Sequence, residues 1–145
     1  MQPYILFVCD RNTCRSAMAE AFFNHYAAQN GLTLRAKSCG IHAIEGEEAD
    51  WGAIEAMEAY GISLEEHRTT EISYDLLKYA LMIITMTKYQ AQYLTELLEK
   101  SPELKKRISA LDPEIPDPYG GDDSDYRRVA GMLDDILVRL AEAKE

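Results

Sequence analysis

Cys9 and Arg15 frame a short segment whose side chains have complementary chemistry. Five residues separate the thiol of Cys9 from the guanidinium of Arg15, and the hydroxyl of Ser16 follows directly. A thiolate is a strong nucleophile, and the planar fork of an arginine matches two oxygens of a phosphoryl group. The segment therefore predicts a loop that wraps one tetrahedral anion and presents a nucleophilic sulfur to it.

The flanking sequence places this loop at a turn from a strand into a helix. Residues 4–8 form an apolar run typical of a strand buried on both faces, and apolar residues recur at helical spacing after Ser16, the predicted N-cap. Loop N–H groups and the positive end of the helix dipole would converge on the anion and favour a thiolate at Cys9. Taken singly, Cys9 and Arg15 also fit a buried strand-end cysteine and a solvated arginine.

A second candidate group lies in a loop near the C-terminus. Residues 112–121 are too rich in proline and glycine for a helix or a strand. Loops that follow the carboxyl ends of parallel strands share one edge of the sheet, so this loop and the Cys9 loop can meet. Asp117 could then donate the proton that expulsion of an alkoxide or phenoxide from phosphorus requires. Considered alone, Asp117 also fits a turn aspartate before proline.

Strand-like and helical segments alternate along the chain, which indicates an α/β fold with a parallel sheet. The predicted strands cover residues 4–8, 33–38, 81–86 and 108–111, and the predicted helices cover residues 16–29, 48–60, 73–79, 88–99 and 124 onward. The length of 145 residues fits one domain, 1–145, with a core that needs no metal or disulfide.

Composition argues against several classes of protein. The formal net charge of −10 disfavours a nucleic-acid partner, because binding a polyanion requires clustered lysine and arginine. No apolar run approaches the roughly 18 residues of a membrane helix and the N-terminus lacks a basic leader, so we expect a cytoplasmic protein without a membrane partner. Three cysteines do not suggest a secreted disulfide framework. Cys9 and Cys14 lack a second ligand pair, so no metal site is expected.

These motifs make the chain resemble the low-molecular-weight protein tyrosine phosphatases over nearly its whole length. A Cys-x5-Arg-Ser motif directly after the first strand matches that family. The further matches, in order, are Asn12, Cys14, Met18-Ala19-Glu20, Ser38-Cys39-Gly40, His67-Arg68 and Asp117-Pro118-Tyr119-Gly120-Gly121. Several phosphatase folds share the Cys-x5-Arg motif, but its N-terminal position combined with a C-terminal Asp-Pro-Tyr is specific to this family.

The resemblance implies a three-layer α/β/α fold with a four-stranded parallel sheet in strand order 2-1-3-4. It implies hydrolysis of phosphotyrosine in a phosphorylated protein substrate through a cysteinyl-phosphate on Cys9, with inorganic phosphate as product and without metal or cofactor. Asp117 would protonate the leaving group and then activate water, while Arg15 holds the phosphoryl oxygens. A monomer is favoured.

The resemblance also implies roles for residues around these three. Asn12, Ser16 and His67 would support the shape of the loop. The residues expected to bind substrate are Asp10, Arg11, Asn12, Thr13, Cys14, Ile44 and Tyr119. Under oxidation, Cys14 would form a reversible disulfide with Cys9, although a small buried residue explains Cys14 equally well.

Asp10 and Arg11 depart from the family pattern, which has an uncharged residue followed by glycine. If the glycine position requires a positive φ, Arg11 would carry about 1–2 kcal/mol of strain. A carboxylate about 6 Å from a bound phosphate would oppose its binding by roughly 3 kcal/mol at an effective dielectric of 20. An ion pair between Asp10 and Arg11, or an Asp10 turned to solvent, would relieve this. We therefore expect altered catalytic efficiency or substrate choice.

Two alternative functions are also compatible with the sequence. Thr13 stands where the protein-arginine phosphatase branch of the family has a threonine, which could position water or a guanidinium leaving group, although threonine is also an ordinary loop residue. A non-catalytic module that binds phosphate or a phosphoprotein would fit the altered loop. Arsenate reduction is disfavoured, since it requires a further cysteine pair and only Cys39 lies outside the loop.

Overall fold

The computed structural model describes residues 2–144, and its strands and helices alternate as predicted. The elements are β1 (Tyr4–Cys9), α1 (Arg15–Gln29), β2 (Arg35–Gly40), α2 (Trp51–Glu58), α3 (Tyr74–Tyr79), β3 (Met82–Thr85), α4 (Lys88–Leu97), α5 (Pro102–Lys105), β4 (Ile108–Ala110) and α6 (Asp123–Ala143).

The four strands form one parallel sheet in the order β2-β1-β3-β4, as the family resemblance implied. β1 lies between β2 and β3, where Val8 pairs with Cys39 on one side and Thr85 on the other. All six residues of β1 are buried, which explains its uninterrupted apolar run. Because the strands are parallel, the loop after Cys9 and the loop after β4 lie at the same edge of the sheet.

Helices cover both faces of the sheet, so the predicted three-layer architecture is confirmed. Successive side chains of a strand point to opposite faces, and β1 divides accordingly. Phe7 and Cys9 belong to the core shared with α1, α2 and α6, whereas Leu6 and Val8 belong to the core shared with α3 and α4. This alternation directs the Cys9 side chain to the same face as α1.

Element boundaries differ from the prediction by a few residues. β2 continues to Gly40 instead of ending at Ser38, because Gly40 stays in register with Cys9. A Cβ at Gly40 would lie 2.7 Å from the carbonyl oxygen of Asp10, so the loop packs directly against this glycine. α2 and β3 are shorter than predicted, and the four-residue α5 was not predicted.

α6 is an amphipathic helix of 21 residues that packs against α1. Its N-cap is Asp122, whose side chain accepts hydrogen bonds from the N–H groups of Ser124 and Asp125. Leu133 and Leu137 are among its fully buried residues, while its other face is polar. Within residues 2–144, no helix combines the length and the apolar character that crossing a membrane requires.

Candidate active site

The candidate site forms where the Cys9 loop meets the loop after β4. Cys9 is the last residue of β1 and α1 begins at Arg15, so residues 10–14 make the whole connection. The N–H of Ile115 donates to the carbonyl oxygen of Met86 (2.9 Å), which holds the second loop against the end of β3. Both loops border a cavity of about 10 Å³, lined by Cys9, Arg11, Asn12, Thr13, Cys14, Arg15 and Asp117.

Asn12 holds the loop in shape. It is fully buried with a φ of 62°, a left-handed conformation that asparagine tolerates better than most residues. Its Nδ2 donates to the Oγ atoms of Ser16 (2.8 Å) and Ser38 (2.9 Å), and its Oδ1 accepts from the N–H of Thr70 (2.9 Å). The Nε2 of His67 lies 2.8 Å from the Asn12 carbonyl oxygen. Asn12 therefore connects the loop to three other segments of the chain.

Arg11 does not have a positive φ, so the backbone strain that a positive φ would cause there does not arise. Among residues 2–144, Asn12 is the non-glycine residue with a positive φ. The left-handed turn falls one residue later than expected, on a residue type that adopts this conformation at lower cost. Arg11 therefore contributes its side chain to the site without a strained backbone.

The N-cap predicted at Ser16 is also wrong. α1 begins at Arg15, and its N-cap, Cys14, makes no side-chain cap hydrogen bond. Ser16 is fully buried in the first turn, where its Oγ lies 2.9 Å from the Sγ of Cys9. A second acceptor, the Cys39 carbonyl oxygen, is farther away at 3.4 Å. The Ser16 hydroxyl is thus placed to donate to the sulfur, and the N-terminus of α1 favours negative charge at the same point.

The other two thiols have different surroundings. Burial raises the pKa of both Cys14 and Cys39, and the neighbouring charge of Cys9 raises each pKa further. Both therefore remain protonated at neutral pH. All three cysteines are free, and Cys14 borders the same cavity as Cys9.

Arg15 lies between two carboxylates. The residue is buried, and its Nη1 donates to the carbonyl oxygen of Ile115 (3.0 Å). Its Nη2 lies 3.6 Å from the Oδ2 of Asp10 and 3.7 Å from the Oδ2 of Asp117. Because the Asp117 carboxylate is about half exposed, a phosphoryl group could reach Arg15 by replacing the Asp117 contact.

Asp10 is held from the side of α4. Gln90 is buried, its Oε1 accepts from the N–H of Met86 (3.0 Å), and its Nε2 donates to the Oδ1 of Asp10 (3.1 Å). Asp10 pairs with Arg15, so it neither turns fully to solvent nor forms the ion pair with Arg11 that the sequence suggested.

Arg11 instead bridges the two loops. Its Cζ lies 3.9 Å from the ring centroid of Tyr119, which places the guanidinium over the aromatic face. The N–H of Tyr119 donates to the Oδ1 of Asp117 (3.1 Å). The residue that Arg11 contacts therefore also orients the candidate proton donor.

The chain matches a known protein family over nearly its whole length. The model of the family described as low molecular weight phosphotyrosine protein phosphatase matches residues 4–145. The chain belongs to this family. The resemblance deduced from the motifs is thereby confirmed.

Similar proteins within the low-molecular-weight phosphatases include both protein-arginine phosphatases and protein-tyrosine phosphatases. The protein-arginine-phosphatase of Bacillus subtilis is 31% identical over 95% of this chain and 94% of its own length. The low molecular weight protein-tyrosine-phosphatase Wzb of Escherichia coli K12 is also 31% identical, over 96% of this chain and 93% of its own length. A solved structure of the arginine phosphatase YwlE, a Cys-to-Ser mutant with a phosphorylated active-site serine, has a TM-score of 0.90 at 28% identity, covering 97% of this chain and 94% of that chain.

Three residues that were expected to bind substrate, Thr13, Tyr119 and Ile44, lie at different distances from the cavity of this low-molecular-weight phosphatase. Thr13 is buried and lines the cavity, and Tyr119 stands beside it in contact with Arg11. Ile44 is 67% exposed in the loop after β2 and is not among the residues that line the cavity. Ile44 could therefore contact only parts of a substrate that extend beyond the phosphoryl group.

Two supporting residues behind the loop had no predicted role, Ser38 and Glu20. Ser38, which accepts from Asn12, donates in turn to the carboxylate of Glu20. Burial raises the pKa of Glu20, while the hydrogen bond from Ser38 and the charge of His67 act in the opposite direction. The motif match included both residues, but sequence alone held no sign that they are joined.

Two residues beside the cavity were also missed, Asp50 and Gln90. Burial raises the pKa of Asp50, and the Arg11 guanidinium and a hydrogen bond from Thr13 oppose that rise. Gln90 is the third residue of α4, in a capping box with Thr87. The Thr-x-x-Gln spacing could have identified this cap, but not its contact with Asp10.

Within the described part of the chain, residues 2–144, histidine, cysteine, aspartate and glutamate side chains form no group of three that could hold a metal ion.

Proposed function

We propose that this protein hydrolyses phosphotyrosine in protein substrates, with Cys9 as nucleophile, Arg15 as phosphoryl-binding residue and Asp117 as general acid and base. The observation that carries this proposal is the convergence of the three side chains on one cavity at the N-terminus of α1. Membership of the phosphotyrosine protein phosphatase family supports it. The mechanism uses no cofactor.

In the first step the Cys9 sulfur attacks phosphorus. An S–P bond forms while the bond from phosphorus to the phenolic oxygen breaks, and Asp117 gives its proton to that oxygen, so tyrosine leaves as a neutral phenol. Arg15 and the loop N–H groups stabilise the charge on the equatorial phosphoryl oxygens. The Ser16 hydroxyl, 2.9 Å from the sulfur, stabilises the thiolate before attack.

In the second step water hydrolyses the cysteinyl-phosphate. Asp117, now ionised, accepts a proton from the water as its oxygen attacks phosphorus. The S–P bond breaks, which returns the Cys9 thiolate and releases inorganic phosphate. The phosphorylated active-site serine in the YwlE mutant supports a phosphoryl-enzyme intermediate.

Substrate binding would exchange one anion at Arg15 for another. The Asp117 carboxylate lies 3.7 Å from Arg15, and the two groups border the same small cavity. A phosphoryl dianion that binds the guanidinium bidentately would displace this contact. Asp117 is then free to approach the leaving-group oxygen.

Thr13 favours a second candidate function, protein-arginine phosphatase activity. Its buried side chain gives the cavity a polar wall next to the Asp50 carboxyl. A polar wall suits the guanidinium leaving group of phosphoarginine better than an apolar one does. Similarity to the protein-arginine-phosphatase of Bacillus subtilis supports this candidate.

Oxidation would connect two cysteines of the site. When an oxidant such as hydrogen peroxide converts Cys9 to a sulfenic acid, the Cys14 thiol would attack its sulfur, form a disulfide and release water. The shared cavity supports this pairing. Free cysteines that undergo reversible oxidation suit a reducing, cytoplasmic location.

Steady-state kinetics with p-nitrophenyl phosphate, a phosphotyrosine peptide and a phosphoarginine peptide test the proposed function. We expect the wild type to hydrolyse the phosphotyrosine peptide and Cys9→Ser to abolish turnover. Cys39→Ser, which changes a buried thiol outside the cavity, is the matched control and should retain activity.

Three results would change this assignment. Turnover of only the phosphoarginine peptide would favour the second candidate. Phosphopeptide binding without turnover of any substrate would indicate a non-catalytic binding module. Equal activity in Cys9→Ser and wild type would contradict the thiolate mechanism.

A further inference from the structure

We propose that Arg11 makes this site selective for aryl phosphates and excludes phosphoarginine, an inference that rests on the phosphatase function proposed above. Arg11 belongs to the phosphate-binding loop and lines the cavity that contains Cys9. Its guanidinium lies over the ring of Tyr119, with Cζ 3.9 Å from the centroid. The positive charge of Arg11 would therefore lie beside the leaving group of a bound substrate.

Arg11 already occupies an aromatic face that would recognise a guanidinium. A cationic guanidinium binds best to an aromatic face and a carboxylate. Tyr119 supplies such a face, and the Cζ of Arg11 lies 3.9 Å from the centroid of its ring. The side chain of a phosphoarginine would therefore meet a bound guanidinium in place of a free aromatic face.

Charge repulsion adds to this exclusion. Phosphoarginine carries its positive charge on the leaving group itself, adjacent to the P–N bond that breaks. Two cations a few ångströms apart at the mouth of a partly buried site repel each other, and salt screens them incompletely. Thr13, the polar residue that favours the arginine branch, is neutral and does not offset the repulsion.

A phenyl ring would instead find a complementary surface. The guanidinium of Arg11 is planar, and the residue is exposed, so its face away from Tyr119 can stack on the ring of a phosphotyrosine. The Tyr119 ring contacts the other face of the Arg11 guanidinium. The backbone N–H of Tyr119 donates to the Oδ1 of Asp117 (3.1 Å). The stacked ring would thus lie beside the proton donor that its phenolic oxygen needs.

The test compares kcat/KM for phosphotyrosine and phosphoarginine peptides of the same flanking sequence. In Arg11→Gln, which removes the charge, we expect kcat/KM to fall about threefold to tenfold for phosphotyrosine and to rise by a similar factor for phosphoarginine. Arg11→Lys retains the charge but not the planar group, so it should lose phosphotyrosine activity without gaining phosphoarginine activity. Arg139→Gln, an exposed arginine on α6, is the control and should change neither value.

The outcomes separate this inference from the proposed function. A wild type whose kcat/KM is higher for phosphoarginine than for phosphotyrosine overturns the inference, and so does a ratio of the two kcat/KM values that changes by less than about twofold in Arg11→Gln. A wild type that hydrolyses neither peptide refutes the phosphatase function itself. Thermal unfolding establishes that each variant is folded. If Arg11→Gln does not fold, Tyr119→Leu, which removes the face beneath Arg11, should shift the ratio in the same direction, and an unchanged ratio there overturns the inference.

Discussion

The Oδ2 of Asp10 lies 3.6 Å from the Nη2 of Arg15, so the phosphate-binding loop carries an anion of its own beside its principal cation. Gln90 of α4 donates to the other carboxylate oxygen of Asp10 and holds it in position. A bound phosphoryl group would share Arg15 with this carboxylate. Asp10 should therefore weaken the binding of phosphate.

Asp10→Asn is expected to strengthen inhibition by inorganic phosphate. One half-exposed carboxylate near a bound phosphate should oppose binding by about 1 kcal/mol after solvent screening, which corresponds to about a fivefold lower competitive KI in the variant. The difference should shrink as salt is added. Asp135→Asn, an exposed change on α6, is the control. An unchanged KI at low ionic strength would show that Asp10 exerts no effect on the anion site.

Asp117→Ala should lower kcat by an amount that depends on the leaving group. Loss of a general acid typically costs a factor of about 10² to 10⁴, and the cost is greatest when the leaving group is a poor one. We expect a large fall for a phosphotyrosine peptide and a smaller one for p-nitrophenyl phosphate, whose phenolate leaves readily. Glu114→Ala changes an exposed carboxylate of the same loop and serves as control. Equal losses on both substrates would argue against proton donation by Asp117.

Asn12→Ala should destabilise the protein and disrupt the loop. It removes three hydrogen bonds made by a buried side chain, at about 1 kcal/mol each, and places alanine at a φ of 62°. Asn12→Gly loses the same bonds but adopts this φ freely, so it should be less destabilised by up to about 1 kcal/mol. Urea unfolding measures both variants. Identical free energies of unfolding would mean that the backbone conformation contributes nothing.

Glu20→Gln should change how stability depends on pH. Burial raises the pKa of Glu20 above its ordinary value of 4.5, so the folded state binds its proton more tightly than the unfolded state does. The resulting stabilisation is fully present below about 4.5 and is lost as pH rises through the folded-state value. Glutamine keeps an oxygen that can accept from Ser38 but does not titrate. The free energy of unfolding of the variant should therefore increase relative to wild type between about pH 4 and pH 7.

Urea unfolding at several pH values checks this prediction, with Glu142→Gln on the exposed end of α6 as the control. The control should follow the wild-type curve at every pH. A constant difference between Glu20→Gln and wild type would show that the carboxyl does not change its proton affinity on folding.

Features that depend on residues close together in the sequence could be predicted from the sequence. The buried run of β1 and the turn into α1 bring Cys9, Arg15 and Ser16 together, because the sulfur and the guanidinium are separated by only one loop. The alternation of strands and helices indicated a parallel sheet, and parallel strands bring the Asp117 loop to the same edge. The boundaries of α2 and β3 were less accurate, since packing and register, not local pattern, end these elements.

Contacts between distant segments could be learned only from the folded molecule. Asp10 meets Gln90 eighty residues away in the chain, and Arg11 meets Tyr119 of the opposite loop. Packing determines these contacts. Asn12 adopts the left-handed conformation, Arg11 contacts the second loop, and Asp10 lies against α4. No local periodicity encodes such a choice, because it depends on which side chains the sheet edge brings within a few ångströms of one another.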